Sequence, residues 1–197
     1  TGALSWGLGR VDPLSAGRVI AWVGMAMFAA LAVGAPIGTA LDEAGGFLAI
    51  ALATALLPLA TMALVASLRA VPGQPHVRPA LLGLAGAIWL PGLGAALASV
   101  GFGAILTFGS LLFAGRGWNP VWLLFSAFAV FLIVARVLCG HLPDRLGGAR
   151  VALASALLEA VGLAIIWLAP GRVFAAAGAA LAGFGYSLVY PGLGLEA

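Results

Sequence analysis

The chain has 197 residues, 63% of them hydrophobic and only 8% charged. Soluble domains carry about 25% charged residues, so this chain cannot cover a water-facing surface and reads as an integral membrane protein. Its formal charge of +3 rests on nine basic residues, all arginine; scattered at the ends of apolar runs, they act as topology signals and make no nucleic-acid-binding patch.

Residues 1–10 resemble the tail of an apolar helix. The sequence opens on Thr1 without a recognisable signal peptide and closes inside an apolar stretch, so a piece of a longer protein is expected. A membrane helix needs about 20 mostly apolar residues. Six such segments follow, at 18–41, 46–68, 89–114, 120–141, 150–169 and 172–195. They are too long for membrane strands and do not alternate. The expected fold class is therefore all-α, a polytopic membrane protein.

In the first segment Ala30, Gly34 and Gly38 recur every four residues, a face that lets helices approach closely. Pro36 frees a backbone carbonyl near Ala32 and favours a bend. Asp42 to Gly45 predict a short turn. The longest polar break, RAVPGQPHVRP at 69–79, holds three prolines that forbid a continuous helix. Residues 80–88 are read as an interfacial lead-in to the span 89–114. Along that span Ser99, Gly103, Thr107 and Ser110 share a face, suited to lining a solute path or to hydrogen bonding between helices.

The fourth segment carries Arg136, placed to snorkel to the interface or to bridge to acids. Near its end stands the single Cys139, which rules out an intrachain disulfide framework and has no partners for a metal site. Residues 140–150 then read GHLPDRLGGAR, a dense polar insertion between apolar walls. Asp144 is placed to cap the next helix or to pair with an arginine. Glu159 lies nine residues past Arg150, roughly 14 Å into the bilayer at 1.5 Å per residue. A carboxylic acid at that depth points to function, with proton coupling as one use and a hydrogen-bonded structural acid as the other. The last segment offers Tyr186 and Tyr190 one turn apart, then Pro191 and Glu196. Tyrosine rings stack on sugars or aromatic solutes and also hydrogen-bond.

Arginine counting orients the chain. One set of helix ends holds Arg10, Arg18, Arg69, Arg78, Arg136, Arg145 and Arg150; the other holds Arg116 and Arg172. The first set is expected on the cytoplasmic side. Trp118, Trp122 and Trp167 then fall at the outer interface and Trp89 at the inner one, levels where tryptophan is enriched.

Two stretches carry a family resemblance. Gly140, Leu142, Asp144, Arg145 and Gly147 resemble the loop motif of the major facilitator superfamily, pattern G-x-L-x-D-R-x-G, with the final basic residue displaced by one position to Arg150. Gly24 through Gly38 resembles that family's fifth-helix motif. Gly34, Pro36 and Gly38 hold its frame, with an inserted Ala35 and no second terminal glycine. The resemblance covers the whole chain and implies the end of helix 4 through helix 10 of a twelve-helix fold, of which six helices are complete. Residues 1–68 would close the N-terminal bundle, 69–88 would form the central cytoplasmic loop and its lead-in, and 89–197 would open the C-terminal bundle. A finer similarity is to bacterial arabinose-efflux-type permeases.

The function implied is secondary active transport of a small molecule by alternating access, as proton-coupled efflux of a sugar or drug-like solute across a bacterial inner membrane. A non-transporting structural or complex-subunit membrane protein is the alternative. The resemblance makes Gly140, Asp144, Arg145, Gly147, Arg150 and Glu196 a cytoplasmic gate. It lines a cavity with Ser99, Thr107, Ser110, Tyr186 and Tyr190, and Glu159 is the candidate coupling acid. No cofactor, metal, nucleic acid or enzyme constellation is expected; the partners are solute, protons and the lipid bilayer, and the sequence assigns no oligomeric state.

Overall fold

The structure, a computed structural model, describes residues 16–67 and 81–194. Its helices are α1 (Ala16–Ala66), α2 (Leu81–Gly115), α3 (Trp122–Cys139), the short α4 (Leu142–Leu146), α5 (Gly148–Leu168) and α6 (Arg172–Gly194). Among the described residues there is no strand. Five helices are long and apolar enough to cross a membrane, the first over Trp22–Ala66. That first one is two helices joined at a break, with non-helical dihedrals at Gly45 and Gly46, the latter at φ 57°. Either side of the break is long enough to span a hydrocarbon core of about 30 Å. The six expected spans are thereby accounted for, with the expected turn at 42–45 falling at Gly45 and Gly46.

The span expected from residue 89 lies within α2, one continuous helix from Leu81 whose membrane-crossing part is Gly92–Gly115, so the expected lead-in is helical and continuous with the span. The expected features at 1–10, 69–79 and Glu196 lie outside the described residues.

Two compact units are present: residues 16–27 with 34–67, and residues 28–33 with 81–194. In the first, large apolar side chains such as Phe47, Leu48, Leu56 and Leu57 are exposed, as lipid-facing residues must be. The close-packing stripe expected at Gly34 and Gly38 meets nothing: a Cβ at either position would have no neighbour within 4 Å among the described residues.

The second unit has the packed core. Phe28, Ile105, Phe113, Leu124, Phe128, Leu132 and Tyr186 are buried together. Phe102 lies parallel to Phe128 and to Tyr186, with ring centroids 5.4 and 5.2 Å apart. The helices α5 and α6 approach until their backbones touch. A Cβ at Gly178 would lie 2.7 Å from the Gly162 carbonyl oxygen, and one at Gly192 2.8 Å from that of Gly148. Between these contacts, a Cβ at Gly185 would lie 2.5 Å from both the Ser155 carbonyl oxygen and the Glu159 amide nitrogen. Gly178, Gly185 and Gly192 recur every seven residues, two helical turns, so they fall along one stripe. In a bilayer, where burial from water does not drive helices together, contact at this range supplies the attraction.

Candidate functional site

Polar side chains are few, so each can be followed. Ser99 Oγ donates to the Ala95 carbonyl oxygen at 2.8 Å and shares a 2.5 Å hydrogen bond with Tyr190 OH. Tyr186 OH donates to Tyr190 OH at 3.4 Å. A hydroxyl has one proton, and a carbonyl can only accept. With the Ser99 proton committed to Ala95, Tyr190 donates to Ser99 and Tyr186 to Tyr190. The result is a directed chain of hydroxyls from buried Tyr186 to the α2 backbone, passing through half-exposed Tyr190. Three residues expected to line a cavity, Ser99, Tyr186 and Tyr190, are thus brought together. Thr107 and Ser110 are exposed further along α2 and take no hydrogen bond among the described residues. A Cβ at Gly103, between them and Ser99, would meet nothing within 4 Å. This face of α2 is open and polar at several points along its length.

Glu159 sits at the inner side of this arrangement. It is 4% exposed, and its Oε1 has no hydrogen-bond partner among the described residues. A Cβ at Gly101 of α2 would run into that oxygen, so the acid occupies the notch where α2 lacks a side chain. On α6 the contact is Gly185, next to Tyr186. The neighbouring pairs Gly101-Phe102 and Gly185-Tyr186 therefore do two things at once. Gly101 admits the carboxyl and Gly185 the α5 backbone at Glu159, and the rings of Phe102 and Tyr186 stack on each other. Ser187 Oγ is the other buried side-chain oxygen without a partner among the described residues.

The GHLPDRLGGAR loop folds as α4 between two tight joints. A Cβ at Gly140 would collide with the Arg136 carbonyl oxygen, and Gly147 has φ 89°, a conformation that L side chains rarely adopt. Both motif glycines thus have a backbone reason. Asp144 lies in the first turn of α4 and Arg145 in its last, each sign at the favourable end of the helix. Asp144 does not cap α5 as expected: the N-cap there is Gly147, with no side-chain bond. Asp144, Arg145 and Arg150 are exposed and form no ion pair among the described residues. Arg150 borders a groove of about 350 Å³ lined by Leu142, Leu146, Leu158 and Phe184. Arg136 is half-buried and unpaired there too.

In the fifth-helix motif, one interaction reaches the freed carbonyl. Pro36 has no N–H, which leaves the Ala32 carbonyl without its helical donor. Ser126 Oγ of α3 donates to that carbonyl at 2.7 Å. Both Ala32 and Ser126 belong to the second unit. Ser126 was not singled out from the sequence, because nothing local to it marks a partner 94 positions away.

At the opposite helix ends, Arg116 stands 5.5 Å from the centre of the Trp118 ring, and Arg172 donates to the Asn119 carbonyl oxygen. Both arginines from the minor set are thus tied to one short loop.

These features define a polytopic helical membrane protein with a sparse polar path in one helical unit. The comparisons with known proteins carry the assignment further. An uncharacterized MFS-type transporter of Salmonella typhimurium strain LT2 is 40% identical over 199 residues, covering 100% of this chain and 50% of the relative. Uncharacterized MFS-type transporters of Burkholderia mallei strain SAVP1 and Burkholderia pseudomallei strain K96243 are each 42% identical over 204 residues, covering 100% of this chain and 48% of theirs. The chain belongs to the major facilitator superfamily, a family of transporters and not of enzymes. It spans about half the length of the curated relatives it matches. No family model and no solved structure matches it.

Proposed function

We propose that this chain is part of a secondary active transporter that moves a small organic solute by alternating access, with two helical bundles rocking about a central path. The energy mode is proton-coupled efflux across a bacterial inner membrane. The solute is sugar-like or drug-like, since tyrosine faces and hydroxyls suit both ring stacking and hydrogen bonding. The observation that carries the reading is the buried Glu159 lying beside the directed Tyr186–Tyr190–Ser99 chain, which opens onto the polar face of α2. A buried acid can take up and release a proton, and a chain of hydroxyls at its side offers solute contacts. Ser99, Thr107, Ser110, Tyr186 and Tyr190 are assigned to the solute path and Glu159 to the proton.

The gate reading assigns Asp144, Arg145 and Arg150, with Glu196, to a cytoplasmic latch that makes and breaks charged contacts in each cycle. The Gly140 and Gly147 joints hold it in shape, and Gly34, Pro36 and Gly38 shape the bend of the fifth helix.

The test is transport by the full-length protein in everted membrane vesicles, screened with sugars and amphiphilic drugs. Accumulation of a compound that collapses with a protonophore supports the reading. Accumulation indifferent to the proton gradient removes the coupling, and no transport of any compound removes the transporter assignment.

A further inference from the structure

We infer that Glu159 is a protonation-dependent post between α2 and the α5–α6 pair, and that Gly101 is the positioning residue that admits it. The inference deepens the coupling reading above and rests on that reading only for its place in transport.

The argument begins with unequal interfaces. The pair α5–α6 is fixed by backbone contact along its length, at Gly148–Gly192, Ser155 and Glu159 with Gly185, and Gly162–Gly178. Backbone meets backbone at each of these points, with only Ala152 Cβ and Ile166 Cγ1 beside them, so little can give. At the contact of α2 with α5 around Gly101, the atoms nearest that glycine are all side-chain tips: Glu159 Oε1 and Cδ, and Leu163 Cδ1. The α2 contact with α6 includes aromatic stacking, the Leu193 side chain against Gly94, and a hydrogen bond from Tyr190 to Ser99. A charge change at Glu159 therefore acts on the adjustable interface and not on the welded one.

The surroundings fix the direction of the effect. The α2 helix has no ionisable side chain anywhere in Leu81–Gly115. The α6 helix presents Tyr186 and Tyr190, with Arg172 at its far end. Arg150 of α5 lies nine residues away, and Arg136 belongs to α3. None makes an ion pair with Glu159 among the described residues. The neutral acid can rest in the notch with one oxygen unpaired. A carboxylate there faces helix backbone with no counter-charge, and an unpaired buried ion is strongly destabilising. On losing its proton the carboxyl must leave the notch toward Tyr186, and α2 shifts from α5 as it goes. Proton release is thereby converted into movement of the helix that carries Ser99, Thr107 and Ser110.

The experiment uses the full-length protein in nanodiscs, with Cys139→Ser as background. Nitroxide labels are placed at Leu97 of α2 and Leu157 of α5, both well exposed, and their separation is read by pulsed electron resonance from acid to alkaline pH. Infrared spectra of the unlabelled protein follow the C=O stretch of protonated carboxyls over the same range. The wild type is expected to lose one protonated-carboxyl band as the label separation changes, with the same midpoint. Glu159→Gln should lack that band and hold the acid-form separation at every pH. Gly101→Ala, whose methyl displaces only a flexible side-chain end, should show the alkaline-form separation throughout. It serves as the test should Glu159→Gln not fold. A pH-dependent separation that persists in Glu159→Gln overturns the inference, as does a Gly101→Ala protein that titrates like the wild type. Neither readout involves transport. Proton-independent transport by a protein whose separation follows Glu159 would instead refute the coupling reading alone.

Discussion

The Ala32 carbonyl provides a quantitative test of the packing. It is freed by Pro36 and satisfied by Ser126 Oγ at 2.7 Å, and Ala32 is only 9% exposed. Ser126→Ala removes the donor and leaves a buried carbonyl unpaired. Leaving such a group unsatisfied costs about 1–3 kcal/mol in general. Measured interhelical hydrogen bonds in membranes average about 0.6 and reach about 1.7 kcal/mol. The expected loss is therefore roughly 1 kcal/mol. The discriminating partner is Pro36→Ala, which restores the backbone N–H one turn along the helix. In that background the Ala32 carbonyl recovers its helical donor, so Ser126→Ala should cost close to nothing. A double-mutant cycle on the full-length protein in mixed micelles, read as unfolding free energy, should give a coupling of about 1 kcal/mol. An equal cost of Ser126→Ala in both backgrounds would refute the reasoning, because the serine would then stabilise through something other than the carbonyl that proline exposes.

Four further outcomes follow from the same geometry. Gly162→Val should separate α5 from α6, since even its Cβ would lie 2.6 Å from the Gly178 carbonyl oxygen; overpacking of roughly 1–3 kcal/mol should appear as a lower thermal midpoint in detergent. Gly147→Ala, at φ 89°, should cost about 1–2 kcal/mol, whereas Gly103→Ala, with nothing within 4 Å, should leave the midpoint unchanged. Tyr190→Phe removes the middle of the hydroxyl chain and should raise the apparent KM for a transported solute several-fold, with membrane levels intact by immunoblot. Asp144→Asn should reduce vesicle transport while leaving the protein in the membrane; undiminished transport would count against the gate.

What the sequence made legible was what local chemistry dictates. Span lengths follow from runs of apolar residues, the break from Gly45 and Gly46, and the loop from a motif whose two glycines occupy positions that need them. The carbonyl freed by Pro36 was legible for the same reason, since a missing N–H acts on the residue four before it. Its partner was not, because Ser126 is an ordinary serine in an apolar run. Spacing suggested a packing stripe at Gly34 and Gly38, which meets no neighbour among the described residues; the backbone contacts seen there lie at Gly162, Gly178 and Gly185. A four-residue repeat and a seven-residue repeat both trace a helix face, and only the identity of the neighbour tells which face is used. The seven-residue repeat of Gly178, Gly185 and Gly192 was available to be read, though not the helix it meets.

Glu159 shows where such reading must stop. Its depth marked it as costly, but depth cannot separate a structural acid from a working one. The separation comes from what faces the carboxyl. A structural acid in an apolar medium is retained when its hydrogen bonds are met, and Glu159 Oε1 has none among the described residues. A glycine opposite it, where any other residue would collide, gives the acid room on α2 without giving it a partner. Burial and lack of satisfaction together stabilise the fold poorly, so the fold alone gives no reason for a glutamate here; glutamine or leucine would fill the space at lower cost. Under the coupling proposed above, the residue is accounted for by a protein that needs its proton to leave.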